Sequence, residues 1–349
     1  MSHFRRGLLY FSSDKPINKG VKVSEFIPIE LELLRIDTIL GVDLYLKTPH
    51  GFILYRSHRV PFNDKVRRNL MAHGVNELYI ATADTAKFDQ YLENNLTGIL
   101  DDPEIKAEVK SRLVYESSLN IARDLLLKPN SISTIKRSTK IVQSMVDLHL
   151  KDDGGFKKLV ELMPTDYNIF SHCANVSTYS IALGKSLGVF NKNELYELGL
   201  GAFLHDIGKS KIPKEILNKP ARLTTEEFEI VKEHVQIGYS IAEKIPIVPR
   251  HSMVPILLHH ERLSGNGYPH GKYKEEIPVT GLITAVADAF DAMTTRRVYQ
   301  KAMKTFSALQ ILLSDDENFD RRVVLEMIKL MSPEKDKAEV PIQKKIITT

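Results

Sequence analysis

The chain has one cysteine, no tryptophan and no apolar run approaching the ~18 residues that a membrane span requires. With Cys173 as its single thiol an internal disulfide framework is excluded, and a reducing compartment, the cytoplasm, is the expected setting. An excess of one charge is also missing. Forty-eight lysines and arginines against 44 aspartates and glutamates leave a net charge of +4, too mild to call for duplex nucleic acid as a partner. The opening residues, Met1 to Pro16, hold two arginines, but their apolar stretch breaks too soon for a processed leader. What is present is ordinary globular material: 43% hydrophobic and 26% charged residues, enough to dismiss wholesale disorder and coiled-coil composition. A length of 349 residues suggests two domains with room for a sizeable core.

The fold class expected is mainly α, preceded by a small mixed α/β module. Residues 1–100 form that module, with a regulatory or dimerising role. Asp43–Lys47 and Phe52–Arg56 flank Thr48-Pro49-His50-Gly51, a hairpin signal. A helix over Asn63–Met71 is stopped by Gly74, and Glu77–Ile80 reads as a short strand. After Asp101-Asp102-Pro103 apolar residues recur at helical spacing, through Val109, Leu113, Ile121 and Leu125, then Ile135, Ile141, Met145 and Leu148. Residues 101–150 are accordingly a helical connector, 151–333 a helical domain and 334–349 a polar, lysine-rich tail.

Six of the 12 histidines fall between His172 and His260. Neutral imidazole is the commonest metal-binding side chain near physiological pH, and an unpaired buried imidazole or carboxylate loses hydration without return. His172 shares a helical face with Ile169, Val176, Tyr179 and Leu183, so it points inward. Taken alone it reads as a hydrogen-bonded core residue more readily than as a ligand. His205 and Asp206 end an apolar helix before Gly208, taken as its stop. Asp206 has two readings as well, a capping or lysine-paired carboxylate and a bridge between two cations. Thr224 and Glu227 make a capping box for a helix whose expected apolar face is Phe228, Val231, Val235 and Gly238, with His234 beside it. His259 and His260 close an apolar run before a turn-rich segment, and Asp288 sits in a helix of small and apolar residues. His172, His205, Asp206 and Asp288 on one side and His234, His259 and His260 on the other would hold two cations with Asp206 shared. Imidazole and carboxylate without thiolate suit iron, manganese or zinc better than magnesium or calcium.

In order and spacing, His205-Asp206-Ile207-Gly208-Lys209, Ile212-Pro213-Lys214, Lys232-Glu233-His234, His259-His260-Glu261-Arg262, Gly267-Tyr268-Pro269 and Val286-Ala287-Asp288-Ala289-Phe290-Asp291 resemble the HD-GYP family of bacterial cyclic di-GMP phosphodiesterases, a branch of the metal-dependent HD hydrolases. The resemblance covers about Leu159 to Met331. It implies a helical bundle around a binuclear centre, iron first and manganese next, whose bridging hydroxide cleaves cyclic di-GMP to linear pGpG or to GMP. It assigns Lys209 and Arg297 to the substrate phosphates, with Lys209 and Asp206 catalytic. Gly267, Tyr268 and Pro269 become a loop at the pocket that binds substrate or docks a signalling protein, and a homodimer is a further expectation. Where trinuclear members carry a glutamate this chain has Asn168, so two metals are expected rather than three. Ser264, Leu282, Arg296 and Val298 also depart from the family pattern, the first two as a lost ion pair. These departures leave two other readings open, a weakened signalling or binding module and a phosphodiesterase for another cyclic dinucleotide such as cyclic GMP-AMP.

Overall fold

The computed structural model describes residues 25–151, 154–164, 168–296 and 302–332. Arg297, Val298 and the 334–349 tail lie outside them. The chain divides into two compact units, Met1–Ile105 and Lys106–Thr349.

In the first unit β1 (Phe26–Glu30), β2 (Leu44–Thr48), β3 (Gly51–Arg56), α1 (Asp64–Ala72), β4 (Glu77–Ala81) and α2 (Thr85–Leu100) follow one another. The strands form one antiparallel sheet in the order β1-β4-β2-β3. The expected hairpin is β2–β3, closed by Pro49 and His50. Asn63 caps α1 by accepting the Val66 amide at 3.0 Å, which starts the helix where its side chain satisfies a free donor. Sequence reading missed β1, because its five residues carry a proline and too few alternations to register as a strand. One sheet face buries Ile29, Leu44, Leu78 and Ile80. The other sets Phe26, Phe52, Tyr45 and Tyr79 ring against ring, with Phe26 stacked on Phe52 at 4.3 Å.

The second unit is helical: α3 (Ala107–Leu127), α4 (Ile132–Lys151), α5 (Gly155–Leu162), α6 (Ile169–Leu187), α7 (Lys192–Leu204), α8 (Lys214–Leu217), α9 (Thr225–Lys232), α10 (His234–Glu243), α11 (Met253–Leu258), α12 (Val279–Thr294), α13 (Thr305–Ser314) and α14 (Arg321–Met331). The helices α3 and α4, read from the sequence as a connector, pack here against α6 and α7. At the centre lies α6, buried at every residue from Ser171 to Gly184. It packs on α7 and α12, so residues from three helices can meet at its N-terminal half. Val176, Tyr179, Leu183, Leu198, Ala202, Val286 and Phe290 make that contact apolar, and each such side chain withdrawn from water contributes about 1.5–3 kcal/mol when large. Among the described residues no helix is long and apolar enough to cross a membrane.

Two local expectations are corrected. The helix that starts at Thr224 does not run on: it breaks at Glu233 into α9 and α10, so Phe228 and Val235 do not share one buried face. Val235 and Gly238 are buried in α10, whereas α9 buries none of its residues. Gly208 does not stop α7 in a left-handed conformation either. It lies in a short 3-10 turn, Ile207–Lys211, pressed against the backbone of α10, where a Cβ would overlap the carbonyl oxygen of His234 and lie 2.6 Å from the Gly238 amide nitrogen. The residue is glycine for close approach, not for positive φ.

Candidate metal centre

The seven side chains singled out in the sequence come together in the second unit. His172 (α6), His205 and Asp206 (just after α7) form one group with ligand atoms within 4.8 Å of each other, and His234 (α10), His259 and His260 (after α11) form another. Asp206 lies between the groups, with Oδ2 3.3 Å from His205 Nε2 and 3.5 Å from His172 Nε2, and Oδ1 3.3 Å from His234 Nε2. Asp288 of α12 adds Oδ1 at 3.0 Å from His172 Nε2 and Oδ2 at 3.7 Å from His260 Nδ1. His172, His205, Asp206, His234 and His259 are almost fully withdrawn from solvent.

The protonation pattern follows from the partners. His205 Nδ1 donates to the Ala202 carbonyl at 2.7 Å, His234 Nδ1 to Val231 at 2.6 Å and His259 Nδ1 to Pro255 at 3.0 Å. A carbonyl only accepts, so each ring carries its proton on Nδ1 and, when neutral, a lone pair on Nε2. Burial lowers His234 to about 4, against the pull of Asp206. Burial, aided by neighbouring imidazoles, holds His259 and His260 well below their ordinary value. Burial pushes Asp206 upward, but His205, Lys209 and His234 outweigh it and keep the carboxyl well below the usual range. Burial likewise opposes ionisation of Asp288, and the hydrogen bond with His172, with the pull of the neighbouring rings, overcomes it. The result is ionised carboxylates beside His234, His259 and His260, whose rings burial keeps neutral.

Two Nε2 lone pairs, of His234 and His259, then stand 3.3 Å apart, and the adjoining Asp206 Oδ1 is buried without a hydrogen-bond partner. Three electron-rich atoms this close in a buried site repel one another, and a cation among them would offset that repulsion. This donor set fits a metal of the imidazole- and carboxylate-binding kind.

A family model described as an HD domain matches residues 158–323, a span that contains all seven side chains. Residues 158–323 form an HD domain. The HD family is metal-dependent, in keeping with the donor set. The chain is 38% identical over 185 residues to a cyclic di-GMP phosphodiesterase of Thermotoga maritima, covering 52% of this chain and 46% of that protein. It is 34% identical over 180 residues to the cyclic di-GMP phosphodiesterase PA4108 of Pseudomonas aeruginosa, covering 52% and 43%. The chain therefore matches under half the length of either relative. The HDG"Y"P protein Bd1817 of Bdellovibrio bacteriovorus shares the fold with a TM-score of 0.61 at 20% identity, over 87% of this chain and 98% of that one.

Outer residues hold the inner ones in place. Asp291, one turn beyond Asp288, accepts from His172 Nδ1 at 2.7 Å and from the Asn175 amide at 2.8 Å, and Tyr115 of α3 donates to Asn175 at 2.8 Å. Sequence reading quoted Asp291 without giving it a role; its i+3 spacing from Asp288 was the signal. Such partners fix ring orientation and raise basicity. Asp291→Ala is expected to weaken metal affinity by roughly 10–100-fold, measured by competition with a chelator. Unchanged affinity would mean that His172 is oriented by other contacts.

Lys209 lies 2.6 Å from Asp206 Oδ2 with its side chain 15% exposed, so its charge reaches both the cluster and solvent. The Gly267-Tyr268-Pro269 loop is drawn in by Glu261, a buried carboxylate accepting the His270 and Lys272 amides at 2.7 and 2.9 Å. Gly267 permits that approach, since a Cβ there would collide with the backbone of Glu261 and Arg262. The Tyr268 ring is stacked on His260, with centroids 4.5 Å apart.

Three of the departures from the family pattern have a local setting. Asn168 caps α6 by accepting the Phe170 amide at 2.9 Å. Ser264 donates to Asn318 at 2.7 Å, and Leu282 is buried in the apolar core. No unpaired charge is left at either of the last two positions.

Proposed function

We propose that this HD domain hydrolyses the phosphodiester bonds of cyclic di-GMP, giving linear pGpG and then GMP, as a metal-dependent phosphohydrolase. In this reading His172, His205, Asp206 and Asp288 hold one ion and His234, His259 and His260 the other, with Asp206 shared. Iron is the first expectation for both and manganese the next. The pair would supply Lewis acidity at the phosphodiester and a nucleophile at neutral pH.

The chain's own groups account for the remainder. Lys209, anchored on Asp206, carries the positive charge that offsets the growing negative charge of the phosphoryl group. Arg297, outside the described residues, is assigned by the family pattern to the opposite phosphate oxygen. Gly267, Tyr268 and Pro269 border the substrate on the His260 side. Asn168, spent on capping α6, favours two metals over three. The buried free thiol of Cys173 fits a reducing setting, the cytoplasm.

The observation that supports this most is the facing pair of Nε2 lone pairs beside an unpartnered carboxylate oxygen. The test is elemental analysis of protein reconstituted with iron or with manganese, coupled to chromatography of products from cyclic di-GMP. Two metals per chain and linear product are expected, with cyclic GMP-AMP the poorer substrate in competition. Metal-replete protein that binds cyclic di-GMP without ever yielding linear product would sink the proposal.

A further inference from the structure

The helix α9 buries no residue, yet it is firmly built. Its first turn is closed by the Thr224–Glu227 capping box, and Lys219 grips both Glu227 carboxylate oxygens at 2.7 and 2.6 Å. This rigidity serves no core. What the helix holds out is Phe228, 44% exposed.

A lone exposed phenylalanine carries little meaning. Phe228 is not alone: its ring meets Tyr268 edge to face at 6.3 Å, Tyr268 stacks on His260 at 4.5 Å, and His260 belongs to the imidazole cluster. The three rings make an unbroken line from the cluster outward to solvent. Lys232, one turn after Phe228, sets its ammonium 5.0 Å from the centre of the Phe228 ring and 5.5 Å from that of Tyr268. Its ion pair with Glu229 is at the surface and readily exchanged.

We infer that Phe228 is the stacking platform for one purine base of a cyclic dinucleotide, with Lys232 beside it to meet the base's ring-edge acceptors. The inference rests on the phosphodiesterase reading. A cyclic dinucleotide with its phosphate at the imidazole cluster carries its bases away from that cluster on the riboses, and the aromatic line runs in that direction. Every nucleobase has a π-face, and a rigid aromatic ring receives it with little entropy to lose. Guanine adds O6 and N7, acceptors that a lysine ammonium matches.

The test is equilibrium binding of a hydrolysis-resistant phosphorothioate cyclic dinucleotide in which one guanine is replaced by 2-aminopurine, whose fluorescence is quenched by stacking. With metal-loaded wild-type protein, saturable binding with quenching is expected. Phe228→Ala is expected to lose about tenfold in affinity, the scale of one base–aromatic stack, and most of the quenching, while elemental analysis shows the wild-type metal content. Phe228→Leu, which keeps apolar bulk without a π-face, should also weaken binding, and Phe228→Trp should restore both signals. Phe306→Ala, at another exposed ring, serves as the control. Wild-type affinity and quenching in Phe228→Ala or Phe228→Leu would overturn the stacking assignment and leave the phosphodiesterase reading standing. If metal-loaded wild-type protein fails to bind the probe and yields no product from cyclic di-GMP, both fall together.

Discussion

Asp206→Asn is expected to empty the centre of metal and to lower turnover of cyclic di-GMP by roughly a thousandfold, equivalent to about 4 kcal/mol in barrier height. The reason is positional. Asp206 reaches both groups more closely than Asp288 does, with Oδ2 toward His172 and His205 and Oδ1 toward His234. An amide keeps the shape but removes the negative charge, and it presents two hydrogens where one oxygen was. It also strands Lys209, whose ammonium lies 2.6 Å from that oxygen. Elemental analysis and product chromatography on the same preparation would measure the two effects. Two metals retained at normal turnover would remove Asp206 from its shared position and with it the binuclear scheme.

Gly208→Ala is expected to cost both stability and the His234 half of the centre. The new methyl would overlap the His234 carbonyl oxygen and lie 2.6 Å from the Gly238 amide nitrogen. Both are backbone atoms that no rotamer change can move aside. Overpacking of this kind costs about 1–3 kcal/mol, sometimes more, and relief requires α10 to withdraw from the 3-10 turn that follows Asp206. For a unit of this size the melting temperature should fall by about 5–10 °C, and metal affinity should drop because His234 moves with its carbonyl. Gly98→Ala is the contrast. It lies in α2, exposed, with its nearest neighbour Arg35 Nε at 3.8 Å, so removing glycine's backbone freedom should stabilise by about 0.5–1 kcal/mol. If Gly208→Ala melts like wild type, the contact between turn and helix is softer than the geometry implies.

The centre lies where helix ends meet. His205 and Asp206 stand past α7, and His259 and His260 past α11, places where the backbone leaves helical pairing and side chains can turn into one space. The Nδ1 protons of His205 and His259 go to carbonyls one turn earlier, of Ala202, Pro255 and Ile256, which helix ends leave free of later partners. The fold thereby sets the tautomer of these rings with its own backbone.

Local signals were legible where local chemistry decides. The Thr224–Glu227 box and the β2–β3 turn follow from which atoms can satisfy nearby backbone donors, and the inward face of His172 follows from helical period. The same local reading ran α9 into α10 and took Gly208 for a stop, because a break and a close approach depend on what packs opposite. The sequence by itself determined that a mainly helical unit carries seven imidazoles and carboxylates of metal-binding type, in a spacing it shares with one family. Only the tertiary structure decided that Asp291 orients His172 from 119 residues away, that the Nε2 atoms of His234 and His259 face each other, and that Phe228 is left outside the core. Hydrophobic period tells which side of a helix seeks the interior, whereas the partner it finds there is set by packing among elements distant in the chain.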